Sequence, residues 1–139
     1  MGTWGSGSFE NDDAADFTVE FESEGLLALH DALDIEDGDY LEAPVAQRAI
    51  AAAELVAMAE RGDSEDDAIS PELYDALQRH ASEIIPALAE LKELSLAALK
   101  KAEAENSELK QLWEEDDASE WMAAMAGLRQ RLSRPTRRR

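Results

Sequence analysis

The chain of 139 residues contains no cysteine, which excludes disulfide bonds and thiolate metal sites. A chain of this length can bury the core of one domain without such crosslinks. The lack of cysteine also fits the reducing cytoplasm better than a secreted compartment. No apolar run in the sequence approaches the roughly 20 residues that cross a bilayer. We therefore expect a cytoplasmic protein that does not enter a membrane.

Positive charge is scarce, with 13 Lys and Arg against 32 Asp and Glu, for a net charge of −19. The first basic residue is Arg48, and six of the basic residues follow residue 128, after the last acid. Residues 1–126 therefore carry seven basic residues against 32 acids, a net charge of −25. Such a body repels nucleic acid and anionic lipid, so neither is expected as a partner. A basic protein or a cation is expected instead.

Strand signals are also scarce, whereas apolar residues recur at helical spacing. Leu26, Leu29 and Leu33 lie three and four residues apart, as on one buried helix face. Pro44 and Gly62 bracket a segment that is almost entirely apolar, which predicts a long central helix. The fold class is all-α: a small irregular bundle of five to seven helices with an N-terminal Gly/Trp arm. We expect residues 1–134 to form a single helical domain, followed by a disordered basic tail over 135–139.

Local signals place the other helix boundaries. Asn11 is a candidate N-cap for a first helix, although the apolar alternation in residues 17–21 is also a weak strand signal. Ser70-Pro71 opens a later helix, and Pro86 kinks it or starts the next. Asn106 or Ser107 restarts the chain, and Asp117 has capping-box spacing with Glu120.

One carboxylate lies within the apolar segment. Gln47, Glu54 and Arg61 are spaced by seven residues, which predicts a narrow polar stripe on one helix face. We expect this stripe to face solvent.

Candidate binding residues come from aromatic side chains and from one acidic cluster. Tryptophan is enriched in interaction hot spots, although burial in or beside the core is the favoured explanation of such residues. The acidic cluster could hold a hard cation, or could simply complement the dipole of the first helix. The candidate residues are Trp4, Phe9, Asp12, Asp13, Asp16, Trp113 and Trp121.

No catalytic or metal motif emerges, and no metal or cofactor is expected. The loop Asp34–Asp39 alternates acids around a glycine, but Gly38 and Val45 break the EF-hand register. The two histidines, His30 and His80, fit surface or core-edge positions better than a general base. The protein is therefore expected not to be an enzyme.

Arginines cluster at the C-terminal end. Arg129, Arg131 and Arg134 suit the negative end of a helix dipole. The remaining arginines, in residues 137–139, could bind nucleic acid, fold back onto the acidic body or support self-association.

Three segments resemble one family. They are residues 1–14 (MGTWGSGSFENDDA), residues 40–44 (YLEAP) before the alanine-rich helix, and residues 107–132 with their two tryptophans. Together they resemble bacterial proteins grouped as domain-of-unknown-function family 4259. Ser8 and Glu10 stand where relatives commonly have Pro and Asp. The resemblance implies a stand-alone, mainly helical bacterial protein and carries over no catalytic residue.

Three classes of function remain. The first is a non-enzymatic acidic interaction protein that engages a basic partner, as immunity proteins or nucleic-acid mimics do. The second is a divalent-cation-binding protein or enzyme that uses the N-terminal acidic cluster. The third is a helical scaffold or homodimer without a ligand.

Overall fold

The computed structural model describes residues 12–35, 40–61, 71–115 and 117–133. These residues contain eight α-helices: α1 (Asp12–Glu24), α2 (Leu26–Leu33), α3 (Ala43–Arg61), α4 (Pro71–Arg79), α5 (Ala81–Ile84), α6 (Leu88–Ala102), α7 (Glu108–Glu114) and α8 (Ser119–Ser133). One turn of 3-10 helix at Ile85–Ala87 joins α5 to α6. The sequence predicts α4 and α5 as one helix, which the structure interrupts at His80. Counted as one helix, they leave seven in the described residues, so the predicted all-α bundle of five to seven helices is confirmed. The predicted arm and basic tail lie outside the described residues.

Helix α3 forms the centre of the bundle. All residues from Ala49 to Met58 are buried, and α3 contacts α1, α2, α5, α6, α7 and α8. Its most extensive contact is with α6, because the small alanine side chains of α3 allow close approach. The prediction of a central, closely packed helix between Pro44 and Gly62 is confirmed.

The corner between α1 and α2 depends on two phenylalanines four residues apart and on one glycine. Phe17 and Phe21 are buried, while Val19 is 67% exposed. The weak strand signal in this segment was therefore misleading. Gly25 then takes a φ of 58°, a left-handed conformation that separates α1 from α2 and that glycine adopts without strain.

A short strap joins the start of α3 to the start of α7. The backbone N–H of Leu41 donates to the carbonyl of Asn106 (2.9 Å), and the N–H of Glu108 donates to the carbonyl of Leu41 (2.8 Å). The Glu108 carboxylate also accepts the backbone N–H of Ala43 (2.7 Å), so α7 caps α3 across 65 residues of sequence. Ser107 is the N-cap of α7, as predicted for Asn106 or Ser107.

Two ion pairs inside the bundle correct one prediction. Gln47 and Glu54 are buried, so these two residues of the predicted polar stripe do not face solvent. The side chain of Arg61 is not among those that the structure describes. Glu54 instead receives two hydrogen bonds from Arg131 of α8, at 2.6 and 2.8 Å. A second buried pair joins Lys92 of α6 to Glu60 at 2.9 Å. A carboxylate can be buried when a cation is buried with it. The seven-residue spacing that predicted the stripe concerns α3 alone, so it could not reveal that Glu54 has a cation partner on α8.

Candidate functional site

Two residues of the predicted acidic cluster, Asp12 and Asp13, lie in the first turn of α1, and Asp16 follows that turn. Asp12 and Asp16 are exposed and Asp13 is partly buried. Negative charge in a first turn is stabilised by the positive end of the helix dipole, which accounts for Asp12 and Asp13 without a ligand. Within the described ranges, no three His, Asp or Glu side chains are grouped so that they could hold a metal ion.

A single arginine, Arg48, joins the helices α1, α2 and α3. Arg48 of α3 bonds to Glu20 of α1 at 2.5 Å and to Asp31 of α2 at 2.9 Å. Its guanidinium also lies 5.5 Å from the centre of the Phe17 ring, within cation–π range. Burial lowers the pKa of Arg48, but the bonds to Asp31 and Glu20 outweigh it and raise that pKa above its ordinary value. This cluster neutralises two acids and fixes α1 and α2 on α3.

His80 has contacts on both ring nitrogens. Nε2 lies 3.2 Å from the carbonyl oxygen of Glu22, and Nδ1 lies 3.2 Å from the Glu83 carboxylate. The ring packs edge-on against Phe21, with centroids 5.5 Å apart. Because groups of this chain occupy both nitrogens, the geometry assigns His80 a structural role at the corner of α1 and α4. This matches the core-edge position expected from the sequence.

The two described tryptophans meet at the corner between α7 and α8, which we call the tryptophan corner and define as residues 113–115 and 117–122. Trp113 and Trp121 lie nearly parallel, with ring centroids 6.3 Å apart and an angle of 7°. Centroids this far apart in parallel rings indicate an offset stack. Trp121 is buried, whereas Trp113 is partly exposed at the core edge.

Four acidic residues lie close to these tryptophans in the sequence. Glu114, Glu115, Asp117 and Glu120 are all exposed, and Met122 beside them is 53% exposed. Asp117 caps α8 by accepting the backbone N–H of Ser119 at 3.0 Å. That backbone bond, followed by a bond with the Ser119 side chain, lowers the pKa of Asp117 below its usual value. The corner therefore combines a partly exposed indole with four exposed carboxyl groups.

The structure brings Trp113 and Trp121 together but not with the α1 acids. Helix α1 packs against α2, α3 and α4, whereas α8 packs against α3 and α6. The five described residues of the predicted set therefore lie at two separate places on the bundle. Trp4 and Phe9 lie outside the described residues. Sequence reasoning missed the cation partners of the buried acids, because Glu54 and Arg131 are 77 residues apart.

Most cations of the described chain are held by groups of the chain itself. Six of the eight described Lys and Arg side chains form ion pairs: Arg48, Arg79, Lys92, Lys110, Arg129 and Arg131. Lys101 donates to the carbonyl of Ile35 at 2.6 Å. Sixteen described acids are exposed: Asp12, Asp16, Glu24, Asp31, Asp34, Glu42, Glu72, Asp75, Glu83, Glu90, Glu93, Glu105, Glu114, Glu115, Asp117 and Glu120. Two of these cations, Lys92 and Arg131, are buried with their partners, and the described surface carries far more acidic than basic side chains.

These features define an all-α protein with an alanine-rich central helix and a carboxylate-rich surface. No helix in the described part has both the length and the apolar character needed to cross a bilayer. Residues 2–124 match the family model described as "Domain of unknown function (DUF4259)", and the chain belongs to this family. The family resemblance found in the sequence is thereby confirmed. Neither a curated protein nor a solved structure matches the chain.

Proposed function

We propose that this protein is a non-enzymatic acidic binding protein that engages a basic protein partner in the cytoplasm. The sixteen exposed acids among the described residues support this proposal. Lys92 and Arg131 are bound to buried carboxylates of the bundle, so they do not neutralise the exposed acids. An outer surface of one sign attracts proteins of the opposite sign and accelerates their association. The lack of cysteine supports the reducing compartment.

Electrostatic attraction makes a specific prediction about salt. Exposed charges are screened over a Debye length of about 8 Å at physiological ionic strength. We therefore expect a partner captured from lysate of the native cell at low salt to have a basic isoelectric point and to be released at high salt. The purified pair should then bind with an affinity that falls as salt rises.

Variants that lack selected surface carboxylates distinguish binding at one face of the protein from nonspecific electrostatic adsorption. Glu90 and Glu93 of α6 are exposed, and replacing both with glutamine removes two charges without touching the core. Comparing such amide substitutions on successive helices should locate the face that the partner contacts. Circular dichroism checks that each variant folds. Absence of any salt-sensitive basic partner would count against the proposal.

Cation binding and self-association have simpler tests. Titration calorimetry with calcium, magnesium and manganese would show heat if the α1 acids bind a cation. Light scattering would show a mass above one chain if the protein is a homodimer.

A further inference from the structure

Within the described part of the chain, the two polar groups in contact with the His80 ring nitrogens are both hydrogen-bond acceptors. The backbone carbonyl oxygen of Glu22 lies 3.2 Å from Nε2, and a carboxylate oxygen of Glu83 lies 3.2 Å from Nδ1. A carbonyl oxygen and an ionised carboxylate accept hydrogen bonds but cannot donate them. A neutral imidazole has one N–H and can therefore bond to only one of these groups, whereas an imidazolium has two and bonds to both.

The His80 ring has little freedom to turn away from these acceptors. Its side chain is 18% exposed, and Phe21 packs against it with ring centroids 5.5 Å apart. Gly25 lies so close that a Cβ added there would be 2.4 Å from Nδ1. In the neutral ring, one nitrogen would therefore direct its lone pair at an acceptor, and that hydrogen bond would be lost.

The position of the ring at the end of α1 also favours a cation. Glu22 lies in the last turn of α1, and that turn contains no basic residue of its own. The C-terminal end of a helix carries the negative end of its dipole, so a cation supplied by another element stabilises it. Arg79 of α4 donates to the same Glu22 carbonyl at 3.1 Å. Since a carbonyl oxygen has two lone pairs, it can accept from both Arg79 and His80.

The charged side chains on the elements around His80 are mostly acidic. They are Glu22 and Glu24 at the end of α1, Asp75 and Arg79 of α4, and Glu83 of α5. The guanidinium of Arg79 is paired with Asp75 at 2.9 Å, so it does not leave a net positive charge at this corner. The 3-10 turn Ile85–Ala87 carries no charged residue. On α3, which contacts α5, the described charged side chains form ion pairs within the bundle: Arg48, Glu54 and Glu60.

We propose that His80 is a pH-responsive joint that closes when its ring takes a second proton from solvent. The protonated ring donates from Nε2 to the Glu22 carbonyl and from Nδ1 to the Glu83 carboxylate. It thereby ties the end of α1 to the break between α4 and α5, and the neutral ring loses one of these two bonds. Histidine is the side chain that ordinarily changes charge between pH 5 and 8. The fold is therefore held more firmly at this corner in mild acid than at alkaline pH.

Urea denaturation of the unaltered protein and of His80→Gln, from pH 8 to pH 5.5, tests the joint. Glutamine forms hydrogen bonds but does not change charge over this range. The contribution of the protonated ring is present at the acidic end of the range and is lost as pH rises. The folding equilibrium constant of the unaltered protein, divided by that of the variant, should therefore grow by about fivefold from pH 8 to pH 5.5.

The second histidine of the chain supplies the matched control. His30 lies on α2, and no hydrogen bond or ion pair of its ring is found among the described residues. The same ratio measured for His30→Gln should stay nearly constant over the pH range. A ratio for His80→Gln that is constant, or that falls toward acid, would overturn the proposal.

A second pair of variants keeps the ring and removes one acceptor. Glu83 and Glu90 are both exposed and lie in the first turns of α5 and α6. Glu83→Ala deletes the partner of Nδ1 and should lose most of the stability gained in acid through His80. Glu90→Ala removes the same charge elsewhere and should keep that gain. Identical pH profiles for these two variants would show that the Glu83 carboxylate is not part of the joint and would overturn the proposal.

Discussion

The buried pair Glu54–Arg131 places two charged side chains in an apolar core, where each requires the other as its counterion. Removing one member of such a pair leaves a buried charge without its counterion and typically costs about 3 kcal/mol or more. We expect Arg131→Met to reduce the free energy of unfolding by that amount. The double variant Glu54→Leu with Arg131→Met should recover most of the loss, because an apolar pair replaces the ionic one. Urea denaturation of the two single variants and the double variant measures this coupling.

A neighbouring arginine on the same helix serves as the control. Arg129 pairs with Glu103 but is 42% exposed, so solvent screens that pair. Arg129→Met should therefore cost less than about 1 kcal/mol. Similar losses for the two arginine variants would show that burial does not set the strength of the Arg131 interaction.

Gly25 is constrained by both its backbone and its surroundings. At a φ of 58°, an added Cβ would lie 2.4 Å from Nδ1 of His80. We expect Gly25→Ala to destabilise the protein by about 2 kcal/mol, from backbone strain and from displacement of the His80 ring. In a thermal melt, adding His80→Ala to Gly25→Ala should cost less than His80→Ala costs alone, because the clash is then absent. Strict additivity of the two substitutions would argue against the contact.

At the scale of elements, the start of α8 depends on an ionised cap. The pKa of Asp117 is lowered in the folded protein, chiefly by the Ser119 N–H, so the folded state favours the carboxylate. Its contribution to stability is complete above the ordinary carboxyl pKa and is lost as pH falls through the lower folded value. Asp117→Ala should therefore destabilise the protein at neutral pH, with the difference from the unaltered protein narrowing in acid. Urea denaturation over a pH series measures this difference, which would stay constant if the carboxylate charge were unimportant.

The helices were predictable because their signals are local. Pro44 and Pro71 lie at helix starts, and the i, i+3, i+4 leucines mark buried faces. Burial of Glu54 was not predictable, since its partner is contributed by another helix far along the chain. The candidate site shows the same division: Trp113 and Trp121 could be named from residue type, but their stacking depends on the turn between α7 and α8.

At the scale of the whole molecule, exposed carboxylates repel one another in the folded state. Salt screens this repulsion, so we expect the melting temperature to rise by a few degrees between low and moderate sodium chloride. Potassium chloride should have the same effect, because screening depends on ionic strength and not on the identity of the cation. A melting temperature that falls with salt would indicate that the ion pairs outweigh the surface repulsion.

The burial of α3 makes its backbone amides a measure of global unfolding. Every residue from Ala49 to Met58 is buried, so we expect solvent deuterium to enter this segment only when the flanking helices separate. Hydrogen exchange in this stretch should therefore be the slowest in the chain, with an opening free energy equal to that of complete unfolding. The same amides would register any ligand that binds the native state, wherever on the exterior it lands, since such a ligand must be released before they can exchange.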